Sequence, residues 1–196
     1  MTAADTQKKE DLRIKKTKQA LILSVTELVK SREIDEITIN DICQRAGIRR
    51  ATFYKHFTDK CDFFLFVITS MRNDFNQTMW KSGIPTDAKT YYTSYFERLI
   101  EFLCEYEDET RKLLRSDMRA PLLEKMIAQN YAGTVLFLEN CVKTNSSVFN
   151  IPLDLAANML SGGFTYSIIT WFETRKIEEK DKFISDITTL IGCLIQ

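Results

Sequence analysis

The feature that most constrains this chain is the spacing of its apolar side chains, which recur at intervals of three and four residues along almost its whole length. That interval is the α-helical period, so each segment that keeps it presents an apolar stripe and has to bury it. The pattern breaks only at 31–37, 46–49, 57–59, 82–86, 116–121, 144–152 and 176–179. Six glycines and three prolines in 196 residues, against an average usage of roughly 12% for the two together, leave little material for turn-rich β architecture. The spacing predicts an all-α fold of about nine helices and no convincing strand.

The helices are expected at about 12–31, 38–47, 50–56, 58–81, 87–107, 109–115, 121–143, 152–175 and 179–195. Three signals agree at the start of the second. Thr38 and Asp41 have capping-box spacing, Ile37 is placed to staple onto Ile42, and Gly47 supplies a left-handed stop. Pro121 and Pro152 suit first-turn positions, where a missing N–H costs nothing.

The formal charge of zero, from 27 basic and 27 acidic residues, is unevenly spread. Residues 1–60 carry 13 Lys and Arg against 9 Asp and Glu, a balance of +4, and the remainder carries −4. A basic amino-terminal part is a hint of nucleic-acid contact. Cys43, Cys61, Cys104, Cys141 and Cys193 are odd in number, widely spaced and without a CxxC pair. They read as small buried hydrophobes in a reducing, cytoplasmic setting, and neither a metal site nor a cofactor is expected.

Residues 1–18 are polar and lysine-rich, so no signal peptide is expected. The uncharged stretch 155–172 is short of the ~20 residues that a spanning helix needs. It also carries Asn158, Ser161, Thr165, Ser167, Thr170 and two glycines, and reads as a buried helix with no membrane partner.

Thr38 to Tyr54 compose a short helix, a turn at Ala46-Gly47 with Ile48 behind it, and a second short helix: a helix-turn-helix pattern. Ile39, Ile42, Cys43 and Ala46 form its inner face, while Phe53 and Phe57 anchor the second helix. Arg49, Arg50, Thr52, Tyr54, Lys55 and His56 are left facing outward, a basic surface rich in donors and free of acids. Arg and Lys neutralise phosphates, hydroxyls donate to phosphate oxygens, and arginine forms paired bonds to a guanine edge.

Ala46-Gly47-Ile48, Thr52-Phe53-Tyr54, His56-Phe57 and Asp59-Lys60, at this fixed spacing, closely resemble the DNA-binding domain of TetR-type transcriptional regulators. The resemblance covers about 12–71 and implies a domain order. Residues 1–11 would be a flexible basic arm, 12–71 the DNA-binding domain, and 72–196 a ligand-binding and dimerisation domain. By position it implies Thr38 at a phosphate, Thr52, Tyr54 and His56 along the recognition helix, and Lys60 at the backbone, with Arg50 the best candidate for base reading. Arg49 stands where the family often has a Ser or Asn cap, which replaces a side-chain cap with a second cation. The glycine often found before the second helix is absent from 31–37.

Wound as an ideal helix, 155–173 has two apolar sides, with Leu155, Met159, Gly162, Tyr166 and Ile169 opposite Leu160, Phe164, Ile168 and Trp171. Together with Ile187, Leu190, Ile191 and Leu194 of the last helix, it reads as half of a four-helix dimer interface. Leu155, Met159, Gly162, Gly163, Tyr166 and Trp171 are its expected contributors. The family pairs its last two long helices in this way. The aromatic residues Trp80, Tyr92, Tyr95, Phe96, Phe102, Phe137 and Phe164 are candidates to line a pocket for a small apolar or aromatic effector, although such a stripe more often fills a core.

The expectation is a sequence-specific transcriptional regulator. It would repress by binding a palindromic operator in double-stranded DNA as a homodimer and be released by an effector. An activator of the same fold, or a helical adaptor with an incidental basic corner, are the alternatives. One histidine, no phosphate loop and no nucleophile–base pair leave no catalytic residue to name, so no enzyme is expected.

Overall fold

A computed structural model of the protein describes residues 3–79, 81, 83–146, 149–174 and 179–195. Among them the elements are α1 (Ala3–Ser31), a 3-10 turn (Ile34–Glu36), α2 (Ile39–Arg45), α3 (Arg50–Phe53), α4 (Lys60–Met79), α5 (Ala88–Glu105), α6 (Glu107–Arg115), α7 (Arg119–Lys143), α8 (Leu153–Asn158), α9 (Phe164–Thr174) and α10 (Lys180–Leu194). A π-helical segment, Met159–Gly163, joins α8 to α9. The all-α class is observed, with one isolated bridge between Phe149 and Ile195 among the described residues. No helix among them is long and apolar enough to cross a membrane.

Two hydrophobic cores organise the chain. The amino-terminal head closes around Leu21, Val25, Ile37, Ile42, Phe53 and Phe63, all at most 1% exposed. Phe53, Phe57 and Phe63 meet edge-on or tilted, with centroids 5.1–5.4 Å apart, the geometry that aromatic quadrupoles favour. The body closes around Tyr92, Phe96 and Ile100 of α5, Leu138 and Cys141 of α7, Leu160 and Phe164 of the π-bearing helix, and Ile187 and Ile191 of α10.

The head core does not stop at residue 71. Met118 and Leu122, at 9% and 1% exposure, belong to it, with Leu113 packed alongside. Polar contacts follow the same seam. Lys112 Nζ donates to the carbonyls of Val29 (2.6 Å) and Lys30 (3.3 Å), and the backbone N–H of Asp117 donates to the Asp35 carboxylate. Arg115 lies 3.8 Å from Glu33. The α6–α7 corner is therefore part of the platform that carries the head.

Three expectations are corrected. α1 begins at Ala3 rather than residue 12, so the predicted arm is helical; Ala3, Ala4, Gln7, Lys8, Lys9 and Glu10 are good helix formers with no glycine or proline among them. Pro152 is the residue before α8, not inside its first turn. The helix expected over 152–175 is interrupted by the π segment, whose wider turn shifts the buried face of α9. Ile169 consequently turns inward, at 7% exposure, and the seam expected of 155–173 is rotated.

Candidate nucleic-acid interface

The two ends of α2 in the helix-turn-helix are set by local chemistry. Thr38, in extended backbone conformation, caps α2: its Oγ1 accepts from the Asp41 N–H at 3.1 Å, and the Asp41 carboxylate accepts from the Thr38 N–H at 2.9 Å. These bonds hold the Asp41 carboxyl below the usual carboxylate range, with Arg32 at 3.3 Å contributing charge. Ile37, 1% exposed, sits before the cap where it can staple onto Ile42.

At the other end Gly47 adopts φ +67°, the left-handed region that disfavours a side chain. Its N–H donates to Gln44 O at 3.2 Å, and the next N–H, of Ile48, donates to Cys43 O at 3.0 Å. This pair of bonds is the Schellman arrangement, which satisfies the last carbonyls of α2 and turns the chain toward α3.

Helix α3 is a single turn, Arg50–Phe53, extended to Phe57 by turns in which His56 and Phe57 N–H groups donate to Phe53 O. Arg49 precedes it in extended conformation without a side-chain cap, as its side chain predicts. Phe53 and Phe57 are buried, at 0% and 4%, so the intervening side chains are forced outward. Arg49, Arg50, Tyr54 and Lys55 are exposed, and Thr52 and His56 are half-exposed.

Arg50 and Tyr54, one turn apart, are paired: the guanidinium donates to the phenol oxygen at 3.3 Å and lies 5.8 Å from the ring centroid. Among the described residues no carboxylate forms an ion pair with Arg49, Arg50 or Lys55. The neighbouring cations Arg32 and Arg45 do have acidic partners, in Asp41 and Glu27. The outward face of α3 is thus a cluster of unneutralised positive charge. His56 sits at its edge, and burial, with the charges of Lys18 and Lys55, holds its pKa below the ordinary histidine value. It is the neutral imidazole that faces this surface at physiological pH.

Lys60 is placed differently from the sequence expectation. Its Nζ donates to Ile34 O at 2.5 Å and lies 5.9 Å from the Phe64 ring, and burial lowers its pKa. That contact spans 26 residues and anchors the 3-10 turn to α4. Lys18, one of the amino-terminal lysines, lies on α1 with its Nζ 5.0 Å from the Phe66 ring centroid and close enough to His56 to depress it, a proximity that the sequence did not indicate. Nothing local in sequence links residues 18 and 56.

The expected dimer residues divide. Leu155, Met159, Tyr166 and Leu190 are exposed, at 39–58%, with Gly163 exposed between them and Gly162 half-exposed. Trp171, Ile187, Ile191 and Leu194 are buried within the protomer and drop out of a candidate interface. Trp171 stacks on Phe183 at 4.9 Å and 2° between planes, and the other three lie in the body core, where α10 packs on α5. Of the expected pocket residues, Trp80 lies outside the described residues. Tyr92, Phe96 and Phe164 are core, with Phe96 and Phe164 4.9 Å apart; Tyr95, Phe102 and Phe137 are half-buried around them. Cys193 is exposed, unlike the buried cysteines expected, and Cys61 and Cys104 are intermediate.

The helix-turn-helix thus presents a cationic face without acidic partners among the described residues, mounted on an all-helical body. Residues 17–67 match the sequence profile of the bacterial regulatory proteins of the tetR family. Over those residues, which lie in the amino-terminal head, the chain is similar to that family.

Solved structures share the fold over nearly the full length. A protein of Syntrophomonas wolfei described as a TetR-family transcriptional regulator is 17% identical, with a TM-score of 0.66, covering 91% of this chain and 96% of that one. TylP, a TetR regulator from Streptomyces fradiae, is 18% identical with a TM-score of 0.56, covering 94% and 87%. FadR of Bacillus subtilis, solved with stearoyl-CoA, is 15% identical with a TM-score of 0.59, covering 87% and 97%. No curated protein sequence matches this chain.

Proposed function

We propose that this chain is a TetR-type transcriptional regulator that represses by binding a palindromic operator as a homodimer, with a small-molecule effector releasing it. The observation that carries the DNA contact is the set of exposed cations on and before α3 that have no acidic partner among the described residues, flanked by the exposed N-cap Thr38. Arg49 and Arg50 stand at the amino-terminal end of α3, the end that approaches base edges in this docking mode. Arg50 reads a base edge, with Tyr54 steadying its guanidinium; Thr38, Thr52, Lys55 and His56 serve the backbone. Lys60 acts mainly by fixing the 3-10 turn and keeps donors for a phosphate.

The exposed apolar residues Leu155, Met159, Tyr166 and Leu190, with small Gly162 and Gly163 among them, form the homodimer seam. A twofold pair of heads then reads half-sites about 34–36 Å apart, or a multiple of that distance. The domain division is a head of 12–71 and a body of 72–196, with the α6–α7 corner belonging mechanically to the head. The charge balance agrees: +4 lies in residues 1–60 and −4 in the rest, so the body is repelled by the duplex.

Selection of bound sequences from random duplex DNA tests this reading. A palindromic consensus is expected, bound less tightly as salt rises, because phosphate contacts release counterions. Arg50→Ala and Tyr54→Ala are expected to lower affinity for that consensus at least tenfold with circular dichroism unchanged. Absence of any sequence preference overturns the proposal.

A further inference from the structure

Two polar side chains from distant parts of the chain share one aromatic ring. Lys18, in the middle of α1, has its Nζ 6.0 Å from the centroid of Phe57 and 5.0 Å from that of Phe66 on α4. His56 lies against the same Phe57, edge to face, with centroids 6.3 Å apart. Phe57 is itself buried and packed on Phe53, Phe63 and Phe66, so it is a fixed support for both groups.

The rings attract the Lys18 ammonium but neither neutralise its charge nor occupy its three N–H donors. Among the described residues no carboxylate forms an ion pair with Lys18, Lys55 or His56. The groove between α1 and α4 that Lys18 lines also carries Asp11, Lys15 and Asp74, and neither of those acids pairs with it. The charges that act on the imidazole are those of Lys18 and Lys55, both positive, and with burial they keep it neutral at physiological pH. One group from α1 and two from the turn after α3 thus gather positive potential at the end of α3 away from Arg49 and Arg50.

We propose that this cluster is a phosphate site built jointly by α1 and the end of α3, in which Lys18 and His56 grip one backbone phosphate of the duplex and the imidazole takes up a proton. It rests on the DNA binding proposed above, and adds to it a residue outside the helix-turn-helix and a coupling to pH. A phosphate offsets the two ammonium groups and accepts from the imidazolium N–H, and a hydrogen bond to the charged form favours that form. The free site therefore holds the neutral ring and the occupied site the protonated one. A complex that binds more protons than its separate parts is strengthened by acid.

The test measures affinity of the full chain, by fluorescence anisotropy, for the duplex recovered by selection from random DNA. Lys18→Met keeps the stem over the rings and removes the charge. It is expected to reduce the slope of log affinity against log salt by about 0.9, and to weaken binding about fivefold at about 0.15 M salt, equally for operator and unrelated duplex. Lys18→Arg should restore the slope. Ethylation of one phosphate in each half-site should interfere with wild-type binding and not with Lys18→Met. Wild-type affinity should rise as pH falls from about 8 to about 6, by at most about tenfold for each unit by which phosphate raises the imidazole. The rise should vanish in His56→Gln and shrink in Lys18→Met, where the free ring has lost one of the two cations that keep it neutral.

A Lys18→Met protein that is less stable in a thermal melt but keeps the wild-type salt slope and ethylation pattern shows a packing role only, and overturns the phosphate contact. Affinity that is flat across this pH range, or a rise that survives in His56→Gln, overturns the proton uptake. With a consensus bound by wild type, either result fails this inference alone. Absence of any duplex binding fails the function proposed above and this inference with it.

Discussion

Lys112 Nζ, on α6, donates to the carbonyl oxygen of Val29 at 2.6 Å, across 83 residues of sequence, and so caps the last turn of α1 from the body. Carbonyls at a helix end have no partner within the helix, and a cation there meets the negative end of its dipole. The seam between head and body is thus polar at its rim and apolar inside, where Met118 and Leu122 enter the head core.

Replacing Lys112 by Met keeps most of the aliphatic stem and removes the donor. A hydrogen bond from a charged group contributes about 1.5–3 kcal/mol, reduced here because the site is only partly buried. A loss of about 1 kcal/mol in urea unfolding is expected. Hydrogen exchange at the carboxy-terminal turn of α1 should rise while exchange in α2 does not; uniform change through the head would contradict the contact's local role.

Thr38→Val preserves shape and removes the hydroxyl that accepts from Asp41 N–H. Loss of an N-cap costs typically about 1 kcal/mol. Equilibrium unfolding should report that loss, and Asp41→Ala in the Thr38→Val background should add less than it does alone, because the two side chains form one reciprocal box.

Gly163 offers a clean probe of the dimer seam. A Cβ built there approaches only Met159 Cβ, at 4.0 Å, so a larger side chain fits within the protomer. Gly163→Trp is expected to leave helix content intact and shift sedimentation toward monomer, with operator affinity falling in step. An unchanged dimer would remove this face as the interface.

The depressed pKa of His56 sets a pH dependence. The unfolded chain takes up the proton near the ordinary value of about 6.5, and the native state only below that. The native state then binds fewer protons, so stability rises with pH across this window and is lost on acidification below about 6.5. His56→Asn should flatten the slope of Tm against pH between about 6.5 and 5; an unaltered slope would place the titration elsewhere.

The parts of the molecule that sequence made legible are those whose reasons are local. The capping box at Thr38 and Asp41, the left-handed stop at Gly47 and the outward set on α3 are all specified by near neighbours in the chain. The helical period told which segments coil, and inner-face residues such as Ile42 and Phe53 are buried accordingly. The amphipathic pattern of α10 was equally plain, but it does not say what lies opposite each apolar residue. Ile187, Ile191 and Leu194 are buried in the body core of the same chain, where α10 packs on α5, while Leu190 alone of the four is left exposed.

The amino-acid sequence by itself determined the helical class, the helix-turn-helix and the concentration of positive charge in the head, because periodicity, caps and charge are properties of neighbouring residues. Tertiary structure decided the rest. It turned Lys60 inward onto Ile34 O, attached the α6–α7 corner to the head, and inserted the π segment that carries Ile169 from the outer face to the core. It also brought Lys18 of α1 to the Phe57 ring that His56 lies against. Each of these depends on which surfaces meet, and side chains 26 to 83 residues apart are joined only when packing closes the loops between them.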